Sequence, residues 1–282
     1  MRTFGVIPAL ARLAPPRLVN GISRLRYRLP WTAPLIGAAA RSIASGEAVI
    51  RHGIGKGLRF DPHGQNPGYA LGTADPLEQQ FLADHLRAGD EFYDIGANVG
   101  FFAVLGARRV GSEGHVHAFE PFPGSAAAVR KNAALNGMSQ ITVIEAAVSD
   151  RSGRGSFVLM GGGSAEFRLE SSALSAVDAA PGAKRIPVDV VAIDELVAAG
   201  QLPPPNLVMI DVEGSECEVL RGMAQTIRTH RPVMLCEVHW LVGEFRAVCK
   251  DLLEPAGYTV RRLDGKPIGD QPERYHAVLM PA

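Results

Sequence analysis

The stretch from Glu91 to Phe102 constrains the fold of this chain most, because a short apolar run ends there in an acid and opens into glycines. Glu91 to Ile95 predicts a buried strand, and the apolar run from Phe101 to Val110 predicts a helix packed on a sheet. Gly96 and Gly100 have no Cβ, so the backbone can turn sharply there and a ligand can approach closely. The pattern predicts a strand, a tight loop and a helix whose N-terminus faces a ligand.

The spacing of these glycines distinguishes between two cofactors. It is G-x-x-x-G, not the G-x-G-x-x-G of dinucleotide sites, which argues against a nicotinamide dehydrogenase. Asp94 closes the strand with a carboxylate, which suits an ammonium group and would repel a diphosphate. Val116 to Glu120 predicts a second strand that ends in an acid, where a carboxylate can bind both hydroxyls of a ribose. One acid for an amino group and one for a ribose indicate S-adenosylmethionine (SAM).

Three ordered motifs resemble the FkbM family of SAM-dependent methyltransferases: Asp94 to Phe102, Ala118 to Pro121, and Ile210 to Glu216. The resemblance covers residues 51–282 and implies a SAM-dependent methyltransferase domain there. The implied fold is α/β, of the Rossmann-like class I methyltransferase type, with a doubly wound seven-stranded sheet and an antiparallel last strand. The implied reaction is O-methylation, and we expect a sugar, polysaccharide, glycolipid or polyketide-type acceptor, either a small molecule or a lipid-linked glycan.

The residues predicted to bind SAM lie at the ends of the first three strands of this domain. Gln140 to Glu145 predicts the third strand, and ligands in such sheets lie along the carboxyl ends of the strands. Small side chains at that tip leave room for an adenine. The full predicted set is Asp94, Gly96, Ala97, Asn98, Gly100, Phe101, Glu120, Pro121 and Ala147.

A second polar group follows two later strands, Asn206 to Asp211 and Pro232 to His239. We predict that this group is catalytic, and its members are Asp211, Glu213, Glu237 and His239. A neutral hydroxyl is a poor nucleophile, so transfer to it needs a base or a metal.

Three arrangements of that group are open. In the first, His239 is the general base and is oriented by Glu237 or Asp211. In the second, the carboxylates of Asp211, Glu213 and Glu237 hold Mg²⁺. In the third, Glu213 and Glu216 only cap the next helix and His239 is structural. A non-catalytic SAM-binding or scaffold protein is the alternative function, and it would not need the complete cluster.

Two positions depart from the family pattern. Family members often have G-x-x-E near the cofactor, where this chain has Asp75, which we interpret as the N-cap of a helix from Leu77 to Leu86. The family usually has a lysine where this chain has Met209, so whatever that lysine contributes is absent. Trp240, directly after His239, is placed to contact the acceptor.

Composition excludes some partners and favours one compartment. The formal net charge is +0, so we expect no electrostatic attraction to nucleic acid. The chain has three cysteines, Cys217, Cys236 and Cys249, an odd number without a C-x-x-C pair. That pattern favours a reducing compartment, so we predict a cytoplasmic protein. The sequence predicts no oligomeric state.

Residues 1–50 form a predicted basic N-terminal helical extension, with arginines throughout and no acid before Glu47. The extension packs on the domain with its arginines in water, or it touches anionic lipid or an acidic, lipid-linked substrate. The second interpretation makes the protein peripheral to the inner face of the membrane. A removed transit peptide is the third interpretation.

The interval from Ser149 to Pro205 is long and rich in glycine. Gly155 to Met160 and Ile186 to Val191 predict strands of an antiparallel excursion, with a mobile loop between them. Long loops inside compact domains are often functional. We therefore expect a lid over the acceptor, with a surface loop of no function as the alternative.

Overall fold

The computed structural model describes residues 29, 31, 33–159, 167–169, 185–269 and 273–282. The arginines at positions 2–28 and the central part of the predicted lid, residues 160–166 and 170–184, lie outside the described residues. Membrane contact by those arginines and closure of a lid stay predictions.

The described chain alternates strands and helices. The strands are β1 (Ala48–Val49), β2 (Arg59–Phe60), β3 (Glu91–Ile95), β4 (His115–Phe119), β5 (Ile141–Ile144), β6 (Ala147–Val148), β7 (Gly153–Leu159), β8 (Phe167–Leu169), β9 (Arg185–Val191), β10 (Leu207–Ile210), β11 (Val233–His239), β12 (Tyr258–Arg262) and β13 (Arg274–Pro281). The helices are α1 (Ala33–Ala44), α2 (Pro67–Leu71), α3 (Pro76–His85), α4 (Phe101–Val110), α5 (Pro123–Leu135), α6 (Ile193–Ala198), α7 (Glu216–Gly222), α8 (Ala224–His230) and α9 (Val242–Val248), which continues as a π-helical turn (Cys249–Leu253).

The main sheet has seven strands within the described residues, in the order β12-β13-β11-β10-β3-β4-β5. Strands β11, β10, β3, β4 and β5 are parallel, and β13 is antiparallel to both β11 and β12. The predicted α/β fold, with seven strands and an antiparallel last strand, is therefore confirmed. Strand order reverses between β3 and β10, so the loops after these two strands open at the same edge, where ligands bind in such sheets.

A smaller sheet has the order β6-β9-β7-β8 within the described residues. Strands β7 and β9 are antiparallel and Gly155 faces Val188, which confirms the predicted excursion. Strand β6 follows β5 after Ala146 and is parallel to β9, so the excursion begins at the edge of the main sheet.

Both faces of the main sheet are buried, which explains why its strands are nearly continuous apolar runs. In β3, Phe92 packs in the core on the α4 side, whereas Tyr93 and Ile95 pack in the core on the opposite side. Polar side chains are therefore concentrated near the strand ends, where the site lies.

Helix α1 packs on the rest of the chain through a small buried cluster of Ile43, Ala48, Ala70 and Leu71. A short antiparallel hairpin of β1 and β2 follows. A domain boundary at residue 50 stays a prediction. Among the described residues, no helix combines the length and the apolar character that crossing a membrane requires.

Asp75 occupies the N-cap position of α3, but the interpretation that its side chain caps the helix is wrong. The side chain of Asp75 makes no capping hydrogen bond to α3, and its backbone is left-handed with φ 45°. Burial, followed by the charge of Glu78, raises the pKa of Asp75 to about 6. The carboxyl group of Asp75 therefore belongs to the environment of Glu237 and His276 and not to the helix backbone.

Asn132 on α5 joins the hairpin to the glycine loop. The Asn132 side chain is fully buried; its Nδ2 donates to the Asp61 and Val99 carbonyls at 2.9 Å each, and its Oδ1 accepts the Asp61 amide at 2.8 Å. We expect Asn132→Ala to lower the free energy of unfolding by about 3 kcal/mol, because it leaves buried backbone groups unpaired. Urea denaturation measures this loss. A loss under about 1 kcal/mol would show that water reaches these groups.

Candidate active site

The loop after β3 is held open by residues with positive φ, at Gly96 (90°), Asn98 (49°) and Gly100 (83°). The Gly96 and Ala97 amides both donate to the Phe119 carbonyl at 3.0 Å. A Cβ at Gly96 would lie 1.8 Å from the Asp211 carbonyl oxygen, so the loop packs directly against the end of β10. The glycine at this position is required by both φ and space.

Glu120 follows β4, and its carboxylate is hydrogen-bonded to the glycine loop. Its Oε2 accepts the Asn98 amide at 2.8 Å, and its Oε1 accepts the Phe122 amide at 2.9 Å. Burial raises the pKa of Glu120 to about 7 despite these two hydrogen bonds. Each oxygen keeps a second lone pair, so the carboxylate can also accept two hydroxyl groups of a ligand.

A cleft of about 370 Å³ lies in front of Glu120. Five of the nine predicted SAM-binding residues line it, and they are Gly96, Asn98, Glu120, Pro121 and Ala147. The side of the smaller sheet contributes Phe157, Ile186 and Val188, which the sequence analysis did not assign to the site. The excursion thus forms one wall of the cleft.

The other four predicted SAM-binding residues, Asp94, Ala97, Gly100 and Phe101, are buried next to the cleft without lining it. Asp94 is only 3% exposed, and its Oδ2 has no hydrogen-bond partner among the described residues. Burial, and then the charge of Glu120, raises the pKa of Asp94 to about 7. Its assignment to an ammonium group stays a prediction.

The raised pKa of Asp94 implies a pH-dependent stability. An unfolded aspartate titrates near 3.8 and this one near 7, so the folded state binds the proton more tightly. The contribution of Asp94 to the free energy of unfolding is therefore present below pH 3.8 and is lost as the pH rises through about 7.

Asp94→Asn cannot ionise at this position. We therefore expect the Tm of Asp94→Asn, minus the Tm of the unaltered protein, to be about 5 °C larger at pH 8 than at pH 5. Thermal unfolding at the two pH values gives this difference. Asp251→Asn, at an exposed position, is the control and should change Tm equally at both. If Asp94→Asn and Asp251→Asn had the same effect on Tm at both pH values, the raised pKa of Asp94 would be contradicted.

The predicted acid and histidine cluster forms at the ends of β10 and β11. Glu237 and His239 are two residues apart on β11, so both project from the same face of the sheet. His239 Nε2 lies 3.8 Å from Asp211 Oδ1 and 3.3 Å from Glu213 Oε2. The structure thus brings together all four residues that the sequence predicted to be catalytic.

The orientation of His239 differs from the prediction. Neither Glu237 nor Asp211 contacts its Nδ1; instead Nδ1 lies 2.6 Å from Glu216 Oε1. From the sequence, Glu216 was predicted only as a possible helix cap, because residues so far apart along the chain carry no signal of this contact with His239.

Glu237 is surrounded by groups from β13 and α3. Arg274 Nε donates to Glu237 Oε1, and His276 Nε2 lies 3.6 Å from Oε2. His276 Nδ1 in turn lies 3.0 Å from Glu78 Oε1. No sequence pattern indicated Arg274, His276 or Glu78. The antiparallel pairing of β13 with β11 brings Arg274 and His276 to the site, and Glu78 reaches it from α3.

Burial and neighbouring charges shift the pKa values of the cluster in different directions. Burial, followed by the charges of Glu237 and Glu213, raises the pKa of Asp211 well above its usual value. Burial also opposes the ionisation of Glu237, but Arg274 and His276 outweigh it and lower its pKa. For His239 burial is outweighed by Glu216 and then Glu213, so its pKa is raised. Asp211 and Glu237 thus have pKa values shifted in opposite directions, and the hydrogen bond between their side chains contributes to the raised pKa of Asp211.

The same groups have the spacing of a cation site. One ligand atom from each of Asp211, Glu237 and His239 lies within 4.8 Å of the other two. Asp211 Oδ1 and His239 Nε2 are buried without a hydrogen-bond partner among the described residues. The predicted metal set had Glu213 in place of His239. Two carboxylates and an imidazole can bind a divalent cation.

The chain is similar in sequence to known methyltransferases. A family model described as the methyltransferase FkbM domain matches residues 94–260. The hexuronic acid methyltransferase AglP of Haloferax volcanii is 27% identical over 163 residues, which cover 57% of this chain and 60% of that protein. The 31-O-demethyl-FK506 methyltransferase FkbM of Streptomyces tacrolimicus is 31% identical over 197 residues, which cover 62% of this chain and 75% of that protein. The chain thus spans less than two thirds of the first of these relatives.

Among solved structures, a methyltransferase FkbM from Methylobacillus flagellatus KT is 15% identical with a TM-score of 0.44. The superposition covers 75% of this chain and 52% of that one.

Proposed function

Because the chain belongs to the FkbM methyltransferase family, we propose that it transfers a methyl group from SAM to a hydroxyl group of a sugar, polysaccharide, glycolipid or polyketide-type acceptor. One observation carries the proposal: Asp211 lines the cleft beside the glycine loop and also belongs to the acid and histidine cluster. A donor bound in the cleft and an acceptor bound at the cluster would therefore meet at one residue.

The residues around the cleft fit SAM. The carboxylate of Glu120 can accept both ribose hydroxyls, while its backbone hydrogen bonds hold it in place. Asp94 Oδ2 is a buried acceptor without a described partner, and a cationic ammonium group would supply one. Small residues such as Ala147 leave room for a flat ring.

The acid and histidine cluster fits a divalent cation such as Mg²⁺, with Asp211, Glu237 and His239 as ligands. The cation would offset both the burial and the carboxylate repulsion that raise the pKa of Asp211. The pKa of His239 is raised by Glu216 and then Glu213, so the imidazole is protonated more readily in the free cluster, and a protonated imidazole cannot accept a proton. We therefore prefer His239 as a ligand over His239 as the general base.

SAM supplies an electrophilic methyl group on a sulfonium. A C–O bond forms to the acceptor oxygen, the C–S bond breaks, and the sulfonium becomes a neutral thioether. We assign Glu213 as the group that receives the hydroxyl proton, because it lines the cleft and lies beside His239. Asp211 and Glu237 orient the acceptor oxygen, and positioning of this kind accounts for much of the acceleration in transfer reactions.

The acceptor class comes from the relatives, one of which is named for a hexuronic acid and another for 31-O-demethyl-FK506. Both names support a hydroxyl-bearing small molecule or glycan and give no support to a nucleic acid. Cys217 and Cys236 are buried free thiols, which is compatible with the proposed cytoplasmic location.

The test is transfer of labelled methyl from SAM into lipid, polysaccharide and small-molecule fractions of the cells that make the protein. Each fraction is assayed with Mg²⁺, with a chelator, and with Mg²⁺ restored. We expect label in one fraction, loss of label with the chelator, and recovery with Mg²⁺. If the chelator does not reduce the incorporation of label, the cation is not needed and His239 would be the general base. SAM binding without label in any fraction would favour the non-catalytic alternative.

A further inference from the structure

The side chain of Glu216 joins two parts of the proposed active site. Its Oε1 lies 2.6 Å from His239 Nδ1 and also accepts the Gly214 amide at 2.8 Å. The side chains of Glu216 and His239 are 0% and 1% exposed. One buried carboxylate oxygen therefore holds both the imidazole on β11 and the turn that follows β10.

Glu216 does not cap its own helix in this arrangement. It is the first residue of α7, and the amide that it binds belongs to Gly214, which precedes the helix. That turn is strained at Glu213, which has φ 52°, whereas Gly214 adopts its φ of 105° without a side-chain clash. Strain of this kind persists only where surrounding contacts impose it, and the contact with Glu216 is one of them.

The contact also determines which nitrogen of His239 bears a proton. A carboxylate only accepts hydrogen bonds, so Nδ1 must be the donor. When Nε2 is deprotonated, as binding of a cation requires, its lone pair faces the cluster, where Nε2 is 3.8 Å from Asp211 Oδ1. A carboxylate behind a metal-binding histidine commonly fixes the ring and its tautomer in this way.

We propose that Glu216 is a positioning residue of this enzyme: it holds a proton on His239 Nδ1, directs Nε2 toward Asp211, and fixes the turn that carries Glu213. The proposal extends the proposed function, since it concerns the same cluster, and nothing in the family match assigns such a role to Glu216.

The test compares Glu216→Met, which has a similar volume and accepts no hydrogen bond of this kind, with Glu216→Gln. In Glu216→Gln the Gly214 amide holds the carbonyl oxygen in the place of Oε1, so Nδ1 keeps its acceptor. Glu218→Gln on the same helix is the matched control, because Glu218 has no described contact with His239. The protein is labelled with ¹⁵N-histidine, and His239→Gln identifies the His239 signals among the eight histidines.

The first readout is the protonation of His239 by long-range ¹H–¹⁵N correlation in the presence of Mg²⁺. We expect Nδ1 to be protonated in the unaltered protein, in Glu216→Gln and in Glu218→Gln, and to lose its fixed protonation in Glu216→Met. An unaltered protein with Nδ1 unprotonated would overturn the proposal even if Glu216→Met failed to fold. So would a folded Glu216→Met with the His239 signals of the unaltered protein.

The second readout is Mn²⁺ affinity, measured by electron paramagnetic resonance. We expect Glu216→Met to bind Mn²⁺ about 10-fold to 100-fold more weakly and to keep its SAM affinity. Equal Mn²⁺ affinity in Glu216→Met and Glu218→Gln would count against the positioning role. Neither readout requires turnover, so a protein that transfers no methyl group fails the proposed function alone and still gives a result for Glu216.

Discussion

Asp211→Asn should reduce methyl transfer about 10³-fold and leave SAM affinity within a few-fold of its original value. The substitution keeps the shape of the side chain and can still donate a hydrogen bond to Glu237, so the fold should persist. It removes the group that links the cleft to the cluster and one of the three proposed cation ligands. The measurements are initial rates with the labelled fraction identified above and SAM binding by calorimetry.

The control for Asp211→Asn is Glu244→Gln. Glu244 is an acid paired with Arg221 on the surface at 2.9 Å, outside the site, so its substitution should leave both rate and SAM affinity unchanged. A rate for Asp211→Asn within tenfold of the original would remove Asp211 from the mechanism. A parallel loss of SAM affinity would instead assign Asp211 to donor binding.

Gly96→Ala should be the most destabilising single substitution in the glycine loop, with a loss of about 4 kcal/mol or more in the free energy of unfolding. The added Cβ would lie 1.8 Å from the Asp211 carbonyl oxygen. That carbonyl is held in place because the Asp211 amide donates a hydrogen bond to the Ile95 carbonyl at 2.9 Å. The alanine would also have to adopt φ near 90°. Relief of the clash would separate β3 from β10, so SAM binding should be lost too.

Gly137→Ala separates the two causes of this loss. Gly137 has φ 65°, but a Cβ there would meet nothing within 4 Å. Its substitution should cost only the strain of a left-handed alanine, about 1 kcal/mol. Urea denaturation of the two variants compares strain alone with strain plus overlap. Equal losses would mean that the loop moves away from β10 at little cost.

The sequence was informative about the cofactor loop because that region is local. Strand, glycines and helix are consecutive from Glu91 to Val110, and the period of apolar residues and the absence of a Cβ act over a few residues. Asp211, Glu213, Glu237 and His239 were also identified, because the ends of neighbouring parallel strands meet at one edge.

The prediction that the Asp75 side chain caps α3 failed because it depended on a sequence pattern alone. Its position before α3 matched a capping pattern, but the pattern says nothing of backbone φ, and a left-handed Asp75 points its carboxyl group elsewhere. The packing of α3 beside β13 determines where the carboxyl group of Asp75 lies. The residues next to Asp75 in the sequence do not indicate that packing.

The sequence by itself determined the fold class, the glycine loop after β3 and the four polar residues at the strand ends. Only the tertiary structure decided that Glu216 orients His239 and that Arg274 and His276 flank Glu237. Strand periodicity and motif spacing are set by neighbours along the chain, whereas these contacts join side chains from separate elements. Their partners follow from strand pairing and helix packing, which bring distant residues within hydrogen-bond distance.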